Sequence, residues 1–157
     1  MARPACARID LGAIRHNYRL AKQLSGTRAA AIIKANAYGH GAVKVAEALA
    51  DDADAFGVAC IEEALELCES GIKQPVMLLE GIFRPDELAQ VDRLGMKIAV
   101  HTPEQLQWLL AAKPSRKLHV FLKLDTGMHR LGFPPEQAHE RYAALKACDH
   151  VGEITLM

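Results

Sequence analysis

The sequence predicts an α/β fold, a parallel (β/α)8 barrel of the TIM type that is incomplete, with about six of the eight strands. Three observations predict it. Short apolar runs alternate with amphipathic stretches every ~20–30 residues, the pattern of parallel strands joined by crossover helices. Most of the runs are continuously apolar, as strands covered on both faces are. No G-x-G-x-x-G turn follows the first run, where a doubly wound sheet would carry one. A whole barrel takes about 250 residues. The chain has 157 and ends on the strand-like run Ile154-Thr155-Leu156-Met157, so the expectation is a barrel that stops part-way.

The elements follow in order. Asp10 is the N-cap of a first helix with Leu11, Ile14, Tyr18 and Ala21 on one face, ending near Gly26. The first strand, 29–33, runs into Lys34, and after Gly41 a helix carries Val43, Ala46 and Ala50. The second strand is 55–59. The helix after it starts at Ile61, places Ala64, Leu65 and Cys68 on its apolar face and stops at Gly71. Strand three is 76–79, and RPDELAQVDRLG then sets Pro85 in a first helical turn and Gly95 past the last. Strand four is 97–101. In TPEQLQWLLAA, Thr102 caps, Pro103 takes the first helical position and Gln105 completes a capping box. Strand five, 118–124, holds His119 and Lys123 among apolar residues. PPEQAHERYAALKA repeats the helix design, and 151–157 is the sixth strand.

Composition excludes several classes. Nineteen basic residues balance nineteen acidic ones, so no net field attracts nucleic acid or an anionic membrane. The N-terminus MARPACARID lacks the apolar centre of a signal peptide, and no run approaches the ~20 residues of a membrane span. Cys6, Cys60, Cys68 and Cys148 are scattered with no C-x-x-C pair, which fits reduced thiols in the cytoplasm. Neither H-E-x-x-H nor G-x-S-x-G occurs, so neither a metal site nor a serine nucleophile is expected.

In a parallel barrel the chemistry sits at the C-terminal ends of the strands. Strand one delivers Lys34, then Asn36, Tyr38 and His40 in a Gly-rich turn; strand five delivers Lys123 and Asp125, then Arg130. A lysine at a dry strand end has a lowered pKa, as a Schiff-base lysine or a proton-abstracting base requires. The alternative for Lys34 is a side chain snorkelling to the surface. The Tyr38 hydroxyl could meet a phosphate oxygen or pack at a helix start, and His40 fits a solvated turn. The Arg130 fork suits a phenolate or carboxylate. Lys123 beside Arg130 is an uneasy pairing. Asp125 balances it, or Lys123 is modified to carry negative charge, or Lys123 faces the helix layer and pairs with an acid there.

The stretch IIKANAYGHG together with KLDTGMHRLGF resembles the bacterial alanine racemases, of the biosynthetic or catabolic type. ARIDLGAIRHNYRLAKQL and FGVACIEEALELCESGIKQPVMLLEG look like the same family, so the resemblance spans essentially the whole chain. It implies a pyridoxal 5′-phosphate (PLP) enzyme that interconverts L- and D-alanine as a cytoplasmic homodimer, for peptidoglycan supply or D-alanine catabolism. On that match Lys34 forms the internal aldimine and is one of two acid–base groups. Tyr38 matches the tyrosine that bonds the cofactor phosphate. Arg130 matches the arginine that touches the phenolic oxygen and helps bind the substrate carboxylate. Lys123 stands at a position often carbamylated, where the added charge holds Arg130. His129 is given no role. In the family the opposing base is a tyrosine of a C-terminal β-domain, reaching across the dimer. The resemblance thus divides the chain into 1–10, a strand of that second domain, and 11–157, a partial PLP-binding barrel. It leads us to expect a truncated chain, inactive alone. The alternatives are a PLP-binding barrel without racemase activity and an interaction fragment.

Overall fold

The computed structural model describes residues 4–157. Six strands form one sheet: β1 (Ala30–Ile32), β2 (Ala55–Val58), β3 (Val76–Leu78), β4 (Lys97–Val100), β5 (Leu118–Leu122) and β6 (Val151–Leu156). Every neighbouring pair is parallel and the order is β1-β2-β3-β4-β5-β6. A doubly wound sheet reverses its strand order at a switch point. This one never does, so the winding is that of a barrel wall. β1 and β6 are the two edges, and the wall stays open between them.

Helix α1 (Leu11–Ser25) precedes β1, and α3 (Ala42–Leu49), α4 (Ile61–Glu69), α5 (Leu88–Leu94), α6 (Pro103–Ala111) and α7 (Ala138–Lys146) connect successive strands. A short segment, α2 (Lys34–Gly39), follows β1. The core lies between the sheet's outer face and these helices. Ala31, Phe56, Val58, Leu78, Ile98, Val100, Val120 and Leu122 meet Val45, Ala46, Leu49, Ala64, Leu67, Val91, Leu109 and Leu145, all buried. Burying each large apolar side chain contributes about 1.5–3 kcal/mol. Coverage of both faces, expected from the sequence, holds only in part. Ile32, on the inner face of edge strand β1, is 41% exposed because no strand lies beyond it.

Local signals place most boundaries. The Asp10 carboxylate accepts from the Ala13 N–H at 3.0 Å, and Gly26 ends α1 in the left-handed region. No residue of α1 is fully buried, and Ala21 is exposed rather than packed. Leu11, Ile14 and Tyr18 pack against the core partly buried, and ion pairs tie the helix down further. Arg15 and Arg19 reach Asp52 at 2.6 and 2.8 Å, and Lys22 reaches Asp54 at 2.8 Å. The packed stripe of α3 is Ala42, Val45, Ala46 and Leu49, one position off the expected Val43 and Ala50. The helix over PPEQAHERYAALKA lacks a side-chain cap and opens with a 3-10 turn, because Pro134 stands where a capping hydroxyl would. Of segment 1–10, residues 1–3 lie outside the described residues, and residues 5–10 form neither strand nor helix. Among the described residues, no helix is long and apolar enough to cross a membrane.

Candidate active site

The C-terminal ends of β1, β3, β4 and β5 converge on one mouth. Lys34 follows β1, with the Ile33 N–H donating to the Gly57 carbonyl at 2.9 Å, so the backbone is held to β2 up to the residue before the amine. The Lys34 Nζ lies 3.6 Å from a carboxylate oxygen of Glu80, just past β3, and both side chains are partly buried. Lys123, just past β5, follows the inward parity of His119 and Phe121, so the alternative that it faces the helix layer does not hold. Burial pushes the Lys123 amine down from its usual range. The charges of Arg130 and Lys34 push the same way, and Glu80 opposes them.

Asp125 does not balance this cluster. Its carboxylate accepts from the Gly127 N–H at 3.1 Å, the His129 N–H at 2.9 Å and the His129 ring at 3.1 Å. Those N–H donors hold its carboxyl below the usual range and fold the Thr126–Arg130 turn. The anion among the cations is therefore Glu80, which the sequence reading passed over. Its position is built: the Glu80 carbonyl accepts from the Gln105 amide at 2.8 Å and lies 2.9 Å from His101 Nε2. Gln105 does not close a capping box on Thr102. Its buried amide instead accepts from the His101 N–H at 3.0 Å and donates to Glu80 and Ile82, the stronger demand because those loop groups have no water to turn to. The Thr102 hydroxyl still caps, accepting from the Gln105 N–H at 3.2 Å.

The turn after Lys34 is unusual. Ala35, Asn36, Ala37 and Tyr38 all sit in the left-handed region, at φ 52°, 54°, 52° and 53°. A left-handed helical turn of L residues costs roughly 1–2 kcal/mol per residue. The surroundings fix it. Ala37 is buried, Asn36 Oδ1 accepts from the Ala42 N–H at 2.8 Å, and the His40 ring meets the Ala37 carbonyl at 2.8 Å. Tyr38 is consequently not packed at a helix start; it stands 61% exposed. Among the described residues neither the Tyr38 hydroxyl nor the Arg130 guanidinium has a hydrogen-bond or ion-pair partner, and no group of His, Cys, Asp or Glu side chains could hold a metal.

The family profile described as "Alanine racemase, N-terminal domain" matches residues 9–157. The chain belongs to the alanine racemase N-terminal domain family. It is 53% identical over 155 residues to the catabolic alanine racemase of Pseudomonas aeruginosa, covering 99% of this chain and 43% of that protein. It is 51% identical to the alanine racemase of Xanthomonas campestris, with the same coverage. Among solved structures, the biosynthetic alanine racemase of Pseudomonas aeruginosa superimposes at a TM-score of 0.89, with 47% identity over 94% of this chain and 42% of that one. The chain thus spans well under half the length of the relatives it matches, and its fold is that family's barrel domain, incomplete at six strands.

The donors of this alanine racemase N-terminal domain fit the charge pattern of PLP. The cofactor presents an aldehyde, a phenolic oxygen and a phosphate. The mouth offers a primary amine, an unpartnered guanidinium and an unpartnered hydroxyl on strand ends or the turns next to them. Cys60, also at this rim, has its thiol pushed up by burial, which disfavours a thiolate nucleophile.

Proposed function

We propose that the protein carrying this chain interconverts L- and D-alanine, the racemase activity for which its relatives are named, and that it does so with PLP as cofactor. One observation supports this most: the Lys34 amine, held 3.6 Å from Glu80, shares a barrel mouth with Lys123 and Arg130. When bound, the cofactor supplies an electron sink that makes the substrate α-hydrogen removable. Lys34 holds the cofactor and, as a free amine, takes or returns the α-proton on one face of the substrate. The Tyr38 hydroxyl donates to a phosphate oxygen, and the left-handed turn presents it outward for that purpose. Arg130 holds the phenolic oxygen and the substrate carboxylate by charge-assisted hydrogen bonds. Lys123, carbamylated, would pair with Arg130 and relieve the crowding of cations.

Inversion needs a second acid–base group on the opposite face of the substrate. We propose that it comes from a further domain of a second subunit in a cytoplasmic homodimer, and that residues Ala5 to Ile9 pair with that domain. The product would serve peptidoglycan synthesis, or the reaction would feed D-alanine breakdown. The test is D-alanine formation from L-alanine by the protein as encoded. Turnover that requires PLP and falls to background in a folded Lys34→Ala variant supports the reading. Cofactor binding without turnover in the parent protein would replace racemase with a PLP-binding barrel, and full activity in Lys34→Ala would remove Lys34 from its role.

A further inference from the structure

We propose that Glu63 is the positioning residue that fixes the peptide from which Lys34 projects, a role that rests on the cofactor reading above. Ala35 is the first of the four left-handed residues, and the peptide joining it to Lys34 sets the direction in which the lysine leaves the strand. The Ala35 N–H donates to Glu63 Oε1 at 2.7 Å. The other oxygen of the same carboxylate, Oε2, accepts from the Ala59 N–H at 2.8 Å. One half-buried side chain in the first turn of α4 thereby spans the ends of β1 and β2. Both hydrogen bonds are charge-assisted, which makes them shorter and stronger than neutral ones.

The Ala37 N–H closes the turn onto the Ile33 carbonyl at 2.8 Å, but among the described residues no other side chain hydrogen-bonds residue 35. Asn36 Oδ1 serves the start of α3, and the His40 ring serves the Ala37 carbonyl. Among the described residues, Glu63 alone joins the left-handed turn to the end of β2 by a side chain. A glutamine there keeps the shape but sets an amide NH2 against one backbone N–H and leaves only a neutral oxygen for the other, so one hydrogen bond is lost and the second is weakened. Loss of that contact frees the 34–35 peptide to rotate while the apolar contacts of α4, made by Ile61, Ala64 and Leu67, stay in place.

The control is Glu62→Gln. Glu62 is exposed and shares the first turn of α4, so any general effect of acidic charge on the helix appears there too. Amide hydrogen exchange is measured on the cofactor-free protein as encoded, and the rate at which borohydride fixes a pyridoxyl label on Lys34 is measured after adding PLP. In Glu63→Gln the Ala35 and Ala59 amides should exchange about tenfold faster or more, with the amides of β4 unchanged. Labelling of Lys34 should slow about ten- to a hundredfold. Glu62→Gln should match the parent in both. The proposal is overturned if Ala35 and Ala59 show no selective rise, if β4 exchange accelerates equally, or if a parent that labels at Lys34 labels as fast with Glu63→Gln. A parent that takes no label at Lys34 refutes the cofactor reading instead, and the exchange measurement still decides the role of Glu63 in holding the turn.

Discussion

The loop that carries Arg130 is closed at Gly132, and replacing that glycine should damage both stability and the site. Gly132 has φ +123°, and a Cβ there would lie 2.4 Å from the Asp125 nitrogen and 2.6 Å from the Leu124 carbonyl carbon. Both are backbone atoms, which cannot swing aside as a side chain can. Gly127, in the same loop, has φ +132° with nothing within 4 Å of a Cβ. Alanine at either position enters a backbone region that costs about 1–3 kcal/mol. Only Gly132→Ala must also move the chain. That movement threatens two hydrogen bonds, Phe133 N–H to the Lys123 carbonyl at 2.9 Å and Asp125 N–H to the Phe133 carbonyl at 2.8 Å. Each is worth roughly 0.5–1.5 kcal/mol net, giving about 2–6 kcal/mol in all for Gly132→Ala. At about 2–4 °C per kcal/mol the melting temperature should fall by at least ~4 °C, and further than in Gly127→Ala. Thermal unfolding followed by circular dichroism checks this, with PLP titration to read the displaced Arg130. Equal melting temperatures for the two variants would refute the clash argument.

Three further outcomes follow from the same geometry. Gln105→Leu should cost at least about 2 kcal/mol in denaturant unfolding, because it strips the His101 N–H and the Glu80 and Ile82 carbonyls of their buried partner; a cost under ~0.5 kcal/mol would contradict it. Hydrogen bonds from Arg15 and Arg19 hold the Asp52 carboxyl below its ordinary 3.8. Its folded pKa is the lower one, so its stabilisation is present above pH 3.8 and lost as pH falls below that value toward the folded pKa. Asp52→Asn should therefore melt lower than the parent near neutrality, with the gap closing below pH 3.8; a gap constant with pH would count against the ion pairs. Lys123, its amine pushed down by burial and by Arg130, should present more neutral amine to carbon dioxide than exposed lysines do. Carbon-13 bicarbonate should give a carbamate resonance that disappears in Lys123→Met, and its persistence there would assign the adduct elsewhere.

The strands were legible because continuous apolar runs bounded by Gly, Pro and capping residues have few other readings. All six fall where the sequence places them, within a residue or two at their ends. Much of the mouth was legible by the same rule, since Lys34 and Lys123 are polar residues directly behind apolar runs. Glu80 behind Val76-Met77-Leu78-Leu79 and His101 behind Lys97-Ile98-Ala99-Val100 obey that rule too, but His101 reads equally as the last residue of its strand, and Glu80 adjoins a Gly-containing turn with no motif around it. The left-handed turn was not legible. Lys-Ala-Asn-Ala-Tyr contains no glycine, and what forces it into that conformation is distant: Glu63 on another helix and the packing of Ala37. The partners of Gln105 were hidden for a similar reason. A capping box is a local pattern, whereas the carbonyls that claim this amide belong to a loop more than twenty residues earlier.

The central claim is that the Lys34 amine is the group that captures the cofactor. Incubating the protein as encoded with PLP, reducing with borohydride and mapping the product by peptide mass spectrometry tests it directly. We expect one pyridoxyl group, on the peptide containing Lys34, and none on Lys123. A label on Lys123 or on surface lysines, or no label in a folded sample, would contradict the account.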